Sequence, residues 1–218
     1  MTREDIRGVI AGFGSAARRA RLAGFKVIDI YAAHGFLLHQ FCSPLSNLRV
    51  DEYGGSFENR IRLSLQVVDA IRTEWPEELP LMFRLSAVDW ADGGWSIEDS
   101  VALSTELKAH GVDVIDCTSG GIGGPQKPDR MPLAQGFQVP FADQVKKEAG
   151  IATMAVGFIW DATFADQIIR EGPADLVALA RELLNDPNWP LHAARELGLD
   201  ANFSLWHPQF GWWLERRE

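Results

Sequence analysis

Cysteine is nearly missing from this 218-residue sequence: Cys42 and Cys117 are its only two. One pair cannot make a disulfide framework, and no CxxC spacing offers a zinc site. Reduced thiols fit a cytoplasmic protein. Positive charge is also short. Twenty-one Lys and Arg stand against 30 Asp and Glu, for a net charge of −9. That excludes a basic footprint for nucleic acid or for an anionic membrane surface. No apolar run is long enough to span a bilayer, and the start, MTREDIRGVI, lacks the apolar core of a signal peptide. A bound phosphate must therefore be held locally, by a few arginines and backbone N–H groups.

The alternation of elements is what the chain does have. Thr2-x-x-Asp5 approximates a capping box, followed by Ile6, Val9, Ile10, Phe13 and Ala17 at helical spacing, with Gly24 at the end of the run. KVIDIY (26–31) reads as a buried strand. A helix follows over 57–75, then a strand over 81–87 and a helix from the Ser96-x-x-Asp99 cap to Gly111. VDVIDC (112–117) is a strand that leads into the glycine-rich TSGGIGG. Pro140 opens another helix, closed by Gly150. Strand 151–157, a helix from Asp161 to Gly172, strand 175–180 and a last helix over 188–197 complete the pattern. Five β-strands alternating with helices predict one α/β domain over 1–218 with a parallel sheet. Composition and periodicity leave it either an open doubly wound sheet or part of a (β/α)8 barrel. No GxGxxG opens a helix after the first strand, which counts against a dinucleotide-binding domain.

In such sheets ligands gather at the C-terminal strand ends. Those ends carry Tyr31 and His34, Arg84 and Asp89, Asp116 and Thr118, Gly157, and Ala180 with Arg181. The set favours an anionic small molecule, met by arginines and by backbone N–H groups at glycine-bearing turns. His34 and His39 are five residues apart and do not share a helical face, so His39 is expected to be a hydrogen-bonded structural residue rather than a metal ligand. Cys42 and Cys117 read as small buried residues.

The stretch AHGFLLHQFCSPLSNLRVDEYGGSFENRIR (33–62) closely resembles the signature of the Old Yellow Enzyme family, the NADH:flavin oxidoreductases and FMN-dependent ene-reductases. The resemblance implies a partial TIM barrel, with strands equivalent to the fourth to eighth, and implies FMN as cofactor with NADH or NADPH as reductant. It makes Arg84 the contact to the flavin N1–O2 edge; the competing role is an ion pair with Asp29 or Asp116. It places Gly157, Ala180 and Arg181 at the FMN phosphate, although the family usually has Gly where Ala180 stands. For Arg181 the competing role is a salt bridge with Asp186. It makes Tyr31 and His34 the catalytic pair that holds a substrate oxygen, although the family usually has His where Tyr31 stands, and it puts Phe36 where the family has a tyrosine that protonates the α-carbon. DEYGGSFENR (51–60) is expected to fix its own loop through Asp51, Glu52, Glu58 and Arg60. The aromatic tail, 203–218, implies either a strap over the barrel rim or a homo-oligomer contact.

Reduction of an activated alkene is the activity the resemblance implies. Two rivals stand beside it: a non-catalytic barrel fragment, and the C-terminal portion of a fused flavoenzyme acting on aromatic CoA thioesters.

Overall fold

The computed structural model describes residues 1–123 and 133–217; Gly124, the last residue of TSGGIGG, lies outside them. Helix α1 (Arg3–Leu22) begins as its cap anticipates. The Thr2 side chain accepts the Asp5 amide and the Asp5 carboxylate accepts the Thr2 amide, so two orphan donors are satisfied at once. Strand β1 (Ile28–Ala32) follows, then α2 (Leu37–Cys42) and α3 (Phe57–Glu74). Next come β2 (Leu81–Ser86), α4 (Ile97–Ala109), β3 (Val114–Thr118), α5 (Val139–Ala149) and β4 (Ala152–Ala155). The chain continues through α6 (Ala162–Glu171), β5 (Leu176–Val177), α7 (Arg181–Asn185), α8 (Trp189–Glu196) and α9 (Pro208–Leu214).

All strand pairs are parallel, and the spatial order is β1-β2-β3-β4-β5. This order decides between the two architectures. A doubly wound sheet reverses its strand order at a switch point, whereas a barrel adds each strand beside the last. Right-handed crossovers then put every connecting helix on one face. Burial follows: Ile30, Phe83, Ile115 and Thr153 lie in one register row and are all buried. The next row, Tyr31, Arg84, Asp116 and Met154, points to the opposite face. The fold is a part of a barrel. Burying a side chain such as Phe83 or Leu63 contributes about 1.5–3 kcal/mol each, and both are 0% exposed.

Strand β5 is shorter than the expected 175–180. It is an edge with one neighbour, and after Ala178 donates to the Ala155 carbonyl at 2.8 Å the chain turns away. The aromatic tail is not extended. It forms α9, packed on the Phe203 carbonyl at Gly211, and leaves Phe210, Trp212 and Trp213 exposed. The 51–60 loop is fixed by charge as expected, with different partners. Arg49 grips Asp51 through Nε and Nη2 at 2.9 and 2.5 Å, Arg3 pairs with Glu52 at 2.5 Å, and Arg60 donates to the carbonyls of Cys42 and Gly55 at 2.8 Å each. Among the described residues no helix is long and apolar enough to cross a membrane.

Candidate active site

At the C-terminal ends of the strands lies a cavity of about 580 Å³. His34, Arg84, Gly157, Ala180 and Arg181 all line it. Tyr31 completes the set from the bare sheet face: its hydroxyl is hydrogen-bonded to His34 Nδ1, and the Arg84 guanidinium lies 5.6 Å from its ring centre. Residues from four strands and 150 positions of sequence are thereby assembled, because they stand toward the C-terminal ends of four different βα units.

His34 is held firmly. It occupies the left-handed region (φ 53°), a conformation that costs a non-glycine residue of order 1–3 kcal/mol. Its amide donates to Ser86 Oγ at 3.0 Å, and Ser86 in turn donates to the Gly120 carbonyl at 2.7 Å. The backbone of Gly121 presses against it so closely that a Cβ there would fall 2.2 Å from His34 Cα. That contact accounts for Gly121, and a Cβ on Gly35 would likewise fall 2.5 Å from the Gly121 carbonyl oxygen. Nε2 meets Thr118 Oγ1 at 2.8 Å. Burial, with the positive charge of Arg84 and of His39 when protonated, pushes the His34 imidazole down to about 4, so it is neutral at neutral pH.

Below this point the loop is anchored by His39. Its Nδ1 accepts the Gly35 amide at 3.0 Å and its Nε2 meets Asp89 Oδ1 at 2.8 Å. Asp89 also accepts Ser43 Oγ and the Trp95 amide. His39 is thus a hydrogen-bonded structural residue, and among the described residues no group of three or more His, Cys, Asp or Glu could hold a metal.

Arg84 has its Nε 3.4 Å from Asp116 Oδ2 and without a hydrogen-bond partner, although that nitrogen is buried. The ion pair considered from the sequence therefore exists, but as a loose one that leaves donor capacity. Burial pushes Asp116 up to about 7, with Asp29 adding to the shift and Arg84 opposing it. Arg181 does not take Asp186, which His192 engages at 2.6 Å; it stacks on the Phe158 ring at 4.3 Å. Phe36 is exposed, edge-on to Tyr31 with ring centres 5.0 Å apart. Cys42 and Cys117 are buried and their thiols are pushed up by burial, Cys42 to about 12.

Sequence reasoning missed Ser86, Ser119 and Gln138. Gln138 is 5% exposed, and its Oε1 accepts from Ser119 Oγ at 2.6 Å and Thr118 Oγ1 at 3.3 Å. The available signal was a lone amide between Phe137 and Val139 at the start of a helix, an apolar setting where a polar side chain needs a specific partner.

A parallel βα sheet with strands in sequential order, and an arginine-lined cavity at its C-terminal ends, defines a ligand-binding portion of a (β/α)8 barrel. The NADH:flavin oxidoreductase / NADH oxidase family matches residues 1–200. The chain belongs to that family. It is 46% identical over 212 residues to the NADPH dehydrogenase of Geobacillus sp. (strain WCH70), covering 97% of this chain and 60% of the relative. It thus spans about three fifths of that relative's length. Among solved structures, 2-naphthoyl-CoA reductase in complex with 2-naphthoyl-CoA superposes with a TM-score of 0.83 at 27% identity, over 90% of this chain and 30% of the other. Morphinone reductase in complex with tetrahydroNAD gives 0.72 at 28%, over 91% and 51%.

Proposed function

We propose that this chain forms the C-terminal part of an FMN-dependent oxidoreductase that uses NAD(P)H to reduce an activated alkene. The observation that carries the reading is the convergence of Arg84, Gly157, Ala180 and Arg181 on one cavity. The residues present fit such a cofactor. The volume, about 580 Å³, is of cofactor size. Arg84 offers an unspent buried donor toward an anionic ring edge. Arg181 and the N–H groups around Gly157 and Ala180 suit a phosphate, and Gly157 keeps the wall open, since a Cβ there would meet Gln138 Nε2 at 2.8 Å. FMN supplies, when bound, the hydride transfer between NAD(P)H and the alkene.

The chain's own contribution is binding and orientation. Arg84 places a fixed positive charge beside the electron-accepting ring. His34 and Tyr31 face the substrate's oxygen, and Phe36 has no proton to give, so protonation falls to water or to another group. The exposed Phe210, Trp212 and Trp213 of α9 offer a homo-oligomer contact. The likeness to 2-naphthoyl-CoA reductase, at 27% identity over 30% of that chain, supports a CoA-thioester enzyme less well than 46% identity over 60% of an NADPH dehydrogenase supports an NADPH-using one. The test is to complete the chain to its relatives' length, purify it, and follow its visible spectrum on adding NADPH. A flavin spectrum that NADPH bleaches and an enone restores is the expected result. A colourless protein, or a flavin that enones leave reduced, would refute the reading.

A further inference from the structure

Phe158 follows Gly157 in the loop after β4 and lines the cavity with its backbone in the left-handed region (φ 50°). A phenylalanine seldom adopts that conformation, and it persists only where the surroundings impose it. They do so here from three sides. The Gly136 amide donates to the Gly157 carbonyl at 2.9 Å, Gln138 Nε2 donates to the Val156 carbonyl at 3.2 Å, and Trp189 Nε1 donates to the Trp160 carbonyl at 2.7 Å. The ring itself contacts Phe137 and Trp160, with centres 5.9 and 6.4 Å away.

This turn sets the ring beneath Arg181, whose guanidinium carbon is 4.3 Å from the ring centre. Among the described residues no hydrogen bond or ion pair restrains the Arg181 side chain. A long side chain left free loses rotamer freedom when it grips a ligand. Stacking restricts it in advance, and it does so through the flat face of the guanidinium, so the N–H fork at the edge stays available.

We propose that Phe158 is a positioning residue that holds the Arg181 guanidinium by its face and so sets its N–H edge for a phosphate group at this end of the cavity. That the phosphate belongs to a flavin rests on the proposed function; the clamp itself does not. Removing the ring face should weaken phosphate binding by about 2- to 30-fold, the worth of a cation–π pair.

The experiment uses the completed protein labelled with nitrogen-15 at arginine. The Arg181 Nε–H resonance, assigned by its loss in Arg181→Ala, is followed as inorganic phosphate is added, and FMN and riboflavin affinities are measured by fluorescence titration. In the parent, phosphate should shift that resonance to saturation. In Phe158→Leu, which keeps bulk without a ring face, affinity for phosphate and the preference for FMN over riboflavin should both fall by the stated factor. Riboflavin affinity should hold, and Phe158→Tyr, which keeps the face, should behave as the parent. Where Phe158→Leu fails to fold, Phe158→Asn, suited to a left-handed backbone, takes its place. The proposal is overturned by a parent whose Arg181 signal ignores phosphate, or by a folded ringless variant that keeps the parent's phosphate affinity. An equal loss for FMN and riboflavin, the mark of a merely structural residue, overturns it too. A protein that takes phosphate at Arg181 as expected, yet binds neither flavin, would refute the function proposed above and leave the role of Phe158 standing.

Discussion

Asp116 gives the sharpest stability test. It is 1% exposed, its Oδ1 has no hydrogen-bond partner, and its Oδ2 lies 3.4 Å from Arg84 Nε. Burial raises its carboxyl to about 7, and Asp29 across the sheet adds to the rise. Asp29 is itself raised by burial, so the two titrate as a pair. A carboxyl whose folded value lies above the unfolded value of about 3.9 binds its proton more tightly in the native state. Between about pH 4 and pH 7 the native state therefore holds a proton that the unfolded chain has lost. Stability falls with pH at about 1.4 kcal/mol per unit across that window and levels off above it. The whole loss is on the order of a few kcal/mol. Asp116→Asn cannot ionise, so the pH slope should flatten, and the variant should gain on the parent at pH 8 relative to pH 5. Urea unfolding followed by tryptophan fluorescence, with midpoints and slopes at both pH values, measures this. Parallel profiles for parent and variant would refute the reasoning.

Other expectations concern the cavity. In the completed protein, Arg84→Ala should weaken FMN binding by about 10- to 150-fold, the worth of a charge-assisted contact. A fluorescence titration matching the parent's would make Arg84 purely structural. Phe36→Tyr should speed the alkene half-reaction, by up to the ~10²–10⁴-fold typical of a general acid, and leave flavin reduction by NADPH nearly unchanged; stopped-flow traces of each half-reaction distinguish this from a packing effect. The 218-residue chain alone should hold FMN weakly, because β1 and β5 are each paired on one side only and Tyr31, on the sheet face opposite the helices, is 42% exposed. Stoichiometric yellow protein after dialysis would contradict that.

Strands β1 to β4 and the long helices were legible because local chemistry and packing agree there. Thr2 with Asp5, Ser96 with Asp99, and Asp161 all cap the helices they announce, and Gly150 and Gly172 close theirs. The short helices α2, α7 and α9 were not foreseen, since five to seven residues carry too little periodicity to register. Strand β5 was overread because LVALA (176–180) is apolar throughout, and an apolar run does not say where its ladder ends. Composition and spacing left the choice between doubly wound sheet and barrel open, and the strand order closed it. At the site, the strand-end rule and the family motif picked out His34, Arg84, Gly157, Ala180 and Arg181, all of which line the cavity. They could not find Gln138, which lies twenty positions from Thr118 and meets it only in the folded chain. Polarity of that kind depends on three-dimensional partners.

The central claim is that the cavity between Arg84 and Arg181 takes a flavin with its phosphate at the Gly157–Arg181 end. The most direct measurement compares FMN with riboflavin, which lacks the phosphate, by flavin-fluorescence titration of the completed protein and its Arg181→Ala variant. The account predicts that the parent binds FMN about 10- to 150-fold more tightly than riboflavin, the worth of one charge-assisted phosphate contact or more, and that Arg181→Ala removes most of this preference while riboflavin binding is little changed. Equal affinity for the two flavins, or a preference for FMN that survives Arg181→Ala intact, would contradict it.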